Sequence, residues 1–386
     1  MGFPLKADFR ELVSHETMGE DEVVTLVMTD GASSQDLYSS RLHYYLKGPV
    51  LVSDVYQKSC ERFNISWANP MAWRTLIWDF QFIRSLHRCE DVVHLPNQHL
   101  ARFGHFLSRP FIVTAHDLIR FLDMRSDSFY IHRPNKRDRV YLQLDFNGLR
   151  KAARIIAPTQ HTKRDLMKHL AIPEDKIVVI PHGVDSKVFR PLREGARACP
   201  HPYVLFVGSE HPRKNLRLLL EAFYGLKQKS RFRGLKLVKV GSPGGGARDF
   251  RADTLRMIRE LNLEADVIIK DFIDQDELVR FYSQAEVFAF PSLYEGFGWP
   301  PVEAMACGCP LVASSATSVP EVVGRGGLMR DPQDVDGWVD ALAQILTDRH
   351  LREELISRGM ERVKDLSWER TAHLTLEVYH EVEHKL

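Results

Sequence analysis

The sequence has 386 residues, of which 44% are apolar and 27% charged. That length exceeds what one hydrophobic core usually organises and predicts two domains. Lys and Arg number 52 against 51 Asp and Glu, so no global field draws the chain to nucleic acid or to an acidic partner.

Residues 1–22 read as a charged arm without the apolar core of a signal peptide. "EVVTLVMTDG" then reads as a strand ending in a turn, with Gly31 just past its end. Apolar runs follow at "GPVLVSDVY", "EDVVHLPN", "RPFIVTAHD", "ARIIAPT" and "KIVVIPHG". Helix-like stretches stand between them at "QDLYSSRLHYYLK", "MAWRTLIWDFQFIRSL" and "HTKRDLMKHL". Short β-rich runs alternating with helical spacing imply parallel βαβ units, here a first Rossmann-like domain over 23–190. The polar, Pro- and Arg-bearing run at 191–202 is the expected linker. The alternation restarts at "YVLFVGS" and continues through "LKLVKVGS", "ADVIIKDF", "AEVFAFPS" and "PLVASS", a second such domain over 203–366. "WERTAHLTLEVYHEVEHKL", within 367–386, has helical spacing and no strand after it. No run approaches the ~20 apolar residues of a membrane span. The five cysteines form no C-x-x-C pair, which fits reduced thiols and a cytoplasmic protein.

Ligands of such sheets lie beyond the carboxyl ends of the strands. After "AEVFAFPS" comes "LYEGFGWPPVEAMACG", with Glu295 at the loop's start and Glu303 eight positions on. Pro300 and Pro301 suit the first turn of a helix. Its positive end would attract an anion, and Gly296 and Gly298 let backbone approach a ligand. Glu303, read in that first turn, either answers the helix dipole or accepts hydrogen bonds from sugar hydroxyls. In "VGSEHPRKNLRLLLEAF" a strand ends at Gly208, and Arg213 and Lys214 stand at an exposed helix start. Cations there oppose the dipole, so they are either a solvated basic turn or a phosphate clamp. "VGSPGGGARDF" lacks a G-x-G-x-x-G fingerprint and reads as a flexible loop. "FIVTAHDL" puts His116 beside Asp117 at a strand end, as a structural pair or a cleft-facing group.

Together these residues resemble the retaining glycosyltransferases of glycosyltransferase family four (glycosyl transferases group 1). "EGFGWPPVEAMACGCPLVAS" is similar to that family's two-glutamate signature, "GSEHPRKN" to its diphosphate clamp, "VIPHGVD" to the close of its first domain and "LSWERTAHLTLEVYHEV" to its crossover helix. The resemblance implies an α/β GT-B fold, with two Rossmann-like doubly wound domains facing a cleft and a C-terminal helix crossing back to the first. It implies that Arg213 and Lys214 hold the donor diphosphate, Glu295 contacts the donor sugar, and Glu303 binds the ribose. The N–H groups of Phe297 and Gly298 meet the donor, Gly296, Gly208 and Gly31 line its site, and His116 reaches the sugar from the first domain. A nucleotide sugar is then the co-substrate, transferred with retention by same-face attack, with no metal and no resident cofactor.

"EGFGWPP" resembles "EGFGLPP" members, many of which use GDP-mannose, and so points to GDP-mannose ahead of a UDP-sugar, with the base near residues 268–273. One departure is the lone Gly31 where many members carry Gly-Gly. Alternatives are another GT-B enzyme (a nucleotide-sugar epimerase or a phosphorylase) and a non-catalytic sugar-nucleotide binding protein. The acceptor is a hydroxyl compound: a glycan, a lipid-linked species or a small molecule. From Arg133 to Lys168 ten Lys or Arg meet three acids. That run is either a set of solvated helix faces or a basic surface for anionic lipid on the inner membrane face. Nearby Phe103, Phe106 and Leu107 are candidates for shallow insertion or for core.

Overall fold

The computed structural model describes residues 24–29, 34–46, 50–53, 79–87, 92–125, 131, 134–192, 197–244 and 250–384. Two compact units form. One comprises residues up to 118, 134–182 and 368 onward; the other comprises 119–133 and 183–367.

The first unit holds six parallel strands: β1 (Val24–Thr29), β2 (Val50–Ser53), β3 (Val92–Leu95), β4 (Phe111–Thr114), β5 (Arg154–Ala157) and β6 (Ile177–Val179), in the order β2-β1-β3-β4-β5-β6. Helix Ser34–Leu46 follows β1, as its sequence predicts. Helix Lys136–Lys151 carries a reciprocal cap at its start: the Asn135 side chain accepts from the Asp138 N–H, and the Asp138 side chain accepts from the Asn135 N–H.

The last helix, Trp368–Glu383, belongs to this first unit. Its Thr371 hydroxyl donates to Pro181 O at 2.7 Å, its Tyr379 hydroxyl lies 2.6 Å from His94 Nδ1, and its Glu381 pairs with Arg154. The chain therefore returns to its first domain, the expected crossover.

The second unit repeats the architecture with β7 (Tyr203–Val207), β8 (Lys236–Val240), β9 (Val267–Lys270), β10 (Val287–Phe290), β11 (Leu311–Ser314) and β12 (Leu328–Arg330), in the order β12-β11-β10-β7-β8-β9. Every pairing is parallel. Strands β10 and β11 are buried along their whole length because helices cover both faces, which is why they read as unbroken apolar runs. One core packs Phe288, Phe290, Val302 and Met305 on one face. Another packs Phe206, Phe223, Ala289 and Trp338 on the other. Among the described residues no helix is long and apolar enough to cross a membrane.

Candidate functional site

The second sheet reverses its strand order between β7 and β10, and the residues after those two strands form the site. Gly208 leaves β7 with its N–H bonded to Val240 O at 2.9 Å. A tight turn, Pro212–Lys214, follows, and Asn215 at φ 54° opens helix Leu216–Lys227. Asn tolerates that left-handed backbone better than most residues. Its Nδ2 donates to Pro291 O at 3.1 Å and to Pro332 O at 2.7 Å. The Leu293 N–H donates to Arg213 O at 2.7 Å. The two strand-end loops are thus stitched together by backbone and amide bonds.

That stitching brings together residues 81 positions apart in sequence. Lys214 Nζ lies 2.6 Å from Glu295 Oε1, and an Arg213 guanidinium nitrogen lies 2.8 Å from Glu295 Oε2. The expected exposed helix start is corrected: Lys214 is only 8% exposed, Glu295 6%, and Arg213 partly buried. The buried Lys214 holds its ammonium 5.2 Å from the Phe290 ring centre, and its Cδ, like the Phe206 ring, lies beside Gly208. A charge at such depth needs a counter-ion, and within the chain Glu295 provides it. Burial lowers Lys214 to about 8, against the pull of Glu295. Burial pushes the Glu295 carboxyl up, but Arg213 and Lys214 together bring it below its ordinary value. Glu295 is therefore an anion seated between two cations.

The helix after this loop runs Trp299–Ala306. Gly298 precedes it at φ 96°, a backbone that favours glycine, and its Cα faces the Phe290 ring. Gly296, next to Glu295 in the loop, has no positive φ. Two sequence expectations change here. Pro300 and Pro301 carry no N–H, so of the four positions whose N–H a helix start leaves free only Gly298 and Trp299 have one, with Phe297 just before them. Glu303 lies beyond the first turn, which holds no acid, so the dipole does not explain it. The Tyr282 hydroxyl donates to Glu303 Oε2 at 2.9 Å, and burial raises that carboxyl to about 7 against the opposing effects of Tyr282 and Lys214.

In the first unit, His116 follows β4. Its N–H donates to the Gln98 side chain at 3.0 Å, Nε2 lies 2.8 Å from Pro96 O, and Nδ1 lies 3.1 Å from His182 Nε2. Only a protonated Nε2 can donate to a carbonyl, so Nδ1 accepts from His182. Burial lowers His116 to about 4 and His182 well below its ordinary value, so both are neutral. Gly31 lies outside the described residues.

Sequence reasoning missed a second ionic cluster beside the clamp. Glu210 accepts from Lys239 Nζ and from Arg251 Nε, each at 2.8 Å, and Arg251 also pairs with Asp271. Lys239 is a lysine inside a buried parallel strand, 1% exposed. A second lysine, Lys239, in the interior of the strand "KLVKV" is the signal that could have found it. The cluster ties the turn before the clamp to β8 and to the end of β9.

Known proteins resemble this chain in sequence and in fold. The family model "Glycosyl transferases group 1" matches residues 194–362, and "Glycosyltransferase Family 4" matches residues 50–188. The chain is 30% identical over 296 residues to the O-antigen chain mannosyltransferase B of Escherichia coli, covering 75% of this chain and 74% of that protein. It is 29% identical over 278 residues to the serotype-specific mannosyltransferase WbdA of Escherichia coli, covering 69% of this chain and 33% of that longer protein. Among solved structures it resembles the sucrose-phosphate synthase of Thermosynechococcus elongatus, with a TM-score of 0.74 at 23% identity over 94% of this chain and 99% of that one. Anabaena HepE in complex with UDP-glucose gives a TM-score of 0.75 at 17% identity over 92% and 99%. At these identities the structural likeness speaks to fold, and the fold is GT-B.

Proposed function

This chain belongs to glycosyltransferase family four, and from that premise we propose that it moves a hexose from a nucleotide sugar to a hydroxyl acceptor with retention at the anomeric carbon. The observation that carries the reading is the Arg213–Glu295–Lys214 cluster: two cations held close at a strand end, with one carboxylate between them. A donor diphosphate makes two demands on a protein. Its charge must be met as the bond to the sugar breaks, and the oxocarbenium-like sugar needs a nearby negative group. Arg213 and Lys214 meet the first. Glu295, turned from its cations toward the sugar once phosphate takes its place, meets the second. The Phe297 and Gly298 N–H groups add fixed donors at the helix start.

Glu303 is the proposed ribose partner, since an ionised carboxylate accepts from both hydroxyls. Gly208 and Gly296 leave room for the donor, and Gly31 is carried as a proposed donor contact on resemblance alone. His116 enters as a neutral ring. A sugar hydroxyl would exchange with its bond to Pro96 O or to His182. In same-face attack the departing phosphate accepts the acceptor's proton, and the scheme uses no metal and no resident cofactor.

Mannose from GDP-mannose is the proposed donor ahead of a UDP-sugar. In support, five of the similar proteins carry mannosyltransferase names, among them the MMP alpha-(1->4)-mannosyltransferase of Mycolicibacterium hassiacum at 32% identity, while HepE binds UDP-glucose. The test is a panel of nucleotide sugars scored by binding and by slow donor hydrolysis. Preference for GDP-mannose supports the donor, preference for a UDP-sugar replaces it, and no hydrolysis of any member contradicts the enzyme reading.

An anionic membrane surface is the proposed acceptor-side partner, on the inner face. Helix Lys136–Lys151 exposes Val140 and Leu144 beside Lys136, Arg139, Arg150 and Lys151. Phe106 is exposed nearby, and the His105 ring, 3.3 Å from Leu144 O, sets the two elements side by side. Apolar side chains ringed by cations fit anionic lipid by charge complementarity. Phe103, by contrast, is core. Arg154 and Lys163 are answered by Glu381 and Glu174.

A further inference from the structure

Two adjacent residues after β11, Thr317 and Ser318, each break a local rule, and both break it toward the loop that carries Glu295. Thr317 holds φ 55°. A β-branched side chain is crowded in that left-handed region, and such residues persist only where their surroundings over-determine them. Part of that surrounding is a side-chain bond: Thr317 Oγ1 accepts from the Glu295 N–H at 3.1 Å. Ser318 is the residue before the short helix Val319–Val323, the position where a serine hydroxyl ordinarily accepts from the helix's own first N–H groups. Its hydroxyl makes no such cap. It is fully buried and donates to Glu295 O at 2.9 Å, with Phe297 O at 3.3 Å sharing the same proton.

The backbone from Glu295 to Phe297 is therefore pinned from three sides by side chains of the next strand-end loop. The N–H of Glu295 is fixed by Thr317, and the carbonyls of Glu295 and Phe297 by Ser318. The carboxylate of Glu295 must reach Arg213 and Lys214 at 2.8 and 2.6 Å, and a small shift of this backbone would lose both. Violations of local preference that point at one segment are the mark of a functional constraint.

We propose that Thr317 and Ser318 are positioning residues that hold the Glu295–Phe297 backbone so that the carboxylate and the loop's N–H groups stand in register with a bound nucleoside diphosphate sugar. Neither touches the donor; both act through Glu295. This rests on the donor-site reading above, and the test separates the two. Thr317→Gly removes the hydroxyl and relieves the backbone, Ser318→Ala removes the second pin, and Thr317→Ser keeps the first.

Two readouts are taken at a temperature where all variants remain folded. The first is GDP-mannose and UDP-glucose hydrolysis. The second needs no donor: the rate of reductive methylation of Lys214, followed by mass spectrometry. Thr317→Gly and Ser318→Ala should lower kcat roughly tenfold with KM within about threefold, and should speed Lys214 labelling several-fold as its cover loosens. Thr317→Ser should restore both to within about threefold of the parent. Unchanged Lys214 labelling, unchanged kcat, or a Thr317→Ser protein as impaired as Thr317→Gly overturns the proposal. If Glu295→Gln itself leaves hydrolysis intact, the donor-site reading falls instead.

Discussion

Glu295→Gln removes one negative charge from between two cations and keeps the side chain's shape. Two unit charges 4 Å apart interact by about 4 kcal/mol at an effective dielectric near 20, and both contacts here are closer, at 2.6 and 2.8 Å. Desolvation offsets part of that. Removing one partner of a buried pair costs about 3–5 kcal/mol because the other charge is left unanswered. Glutamine still offers a carbonyl to one cation, so the loss belongs near 3 kcal/mol, or roughly 6–12 °C in Tm at about 2–4 °C per kcal/mol. The same substitution frees Arg213 and Lys214 for phosphate. GDP should bind the variant about tenfold more tightly, about 1.4 kcal/mol, and saturating GDP should recover much of the lost Tm. Under the proposed role of Glu295 beside the charged sugar, turnover of the sugar nucleotide should nonetheless fall. Differential scanning fluorimetry with and without GDP, calorimetric titration of GDP and donor hydrolysis measure all three. An unchanged Tm, or GDP affinity equal to or weaker than the parent's, would refute the idea that Glu295 and the diphosphate compete for the same cations.

The remaining expectations concern single groups. Arg213→Ala, at a partly exposed position, should weaken donor binding and turnover more than tenfold, about 1.4 kcal/mol, with the fold intact; Lys214→Ala should also lower Tm, since it strands the buried Glu295. Wild-type GDP affinity in both variants would remove the clamp. Glu303 accepts from both ribose hydroxyls best when ionised, since protonation turns one of its oxygens into a donor, and burial raises it to about 7, so GDP affinity should rise with pH through about 7. Glu303→Gln should bind roughly tenfold more weakly without that pH dependence, and a flat wild-type profile would count against the role. Burial holds His94 near about 3 and His116 near about 4, both below the unfolded value. The unfolded chain therefore binds more protons in acid: stability is full above about pH 6.5 and falls below it, by about 1.4 kcal/mol per pH unit for each histidine. Denaturant midpoints that do not move between about pH 7 and pH 5 would contradict this. Sedimentation with vesicles should show binding that needs anionic lipid and weakens with salt; no binding at low salt excludes the membrane surface, and self-association through Val140 and Leu144 would show instead as a concentration-dependent mass.

Much of the fold is legible in the sequence because parallel strands buried on both faces leave unbroken apolar runs, as in "VFAF" and "LVAS". Strand β12 is not, since its three residues are only partly buried and its sequence "LMR" carries no pattern. The helix Lys136–Lys151 is obscured by its exposed face, where charges interrupt the apolar spacing. At the site, residue types and their place after strands identified Arg213, Lys214 and Glu295 separately. Their mutual ion pairs span 81 and 82 positions and follow only from packing β7 against β10. The sequence reading puts Glu303 in the first turn of a helix that opens at Pro300 and Pro301, whereas the helix begins at Trp299 and leaves Glu303 beyond that turn. Thr317 and Ser318 look ordinary in sequence. Their significance lies in a φ angle and a missing cap, which only coordinates reveal.

The most direct measurement is the configuration of the mannose produced from α-linked GDP-mannose in excess chelator, followed by proton NMR from the first minutes, before mutarotation mixes the anomers. The parent should release or transfer α-mannose at an undiminished rate, and the Glu295→Gln protein should do so far more slowly while holding GDP more tightly. A β product, or activity that vanishes with chelator and returns with metal, would contradict the account.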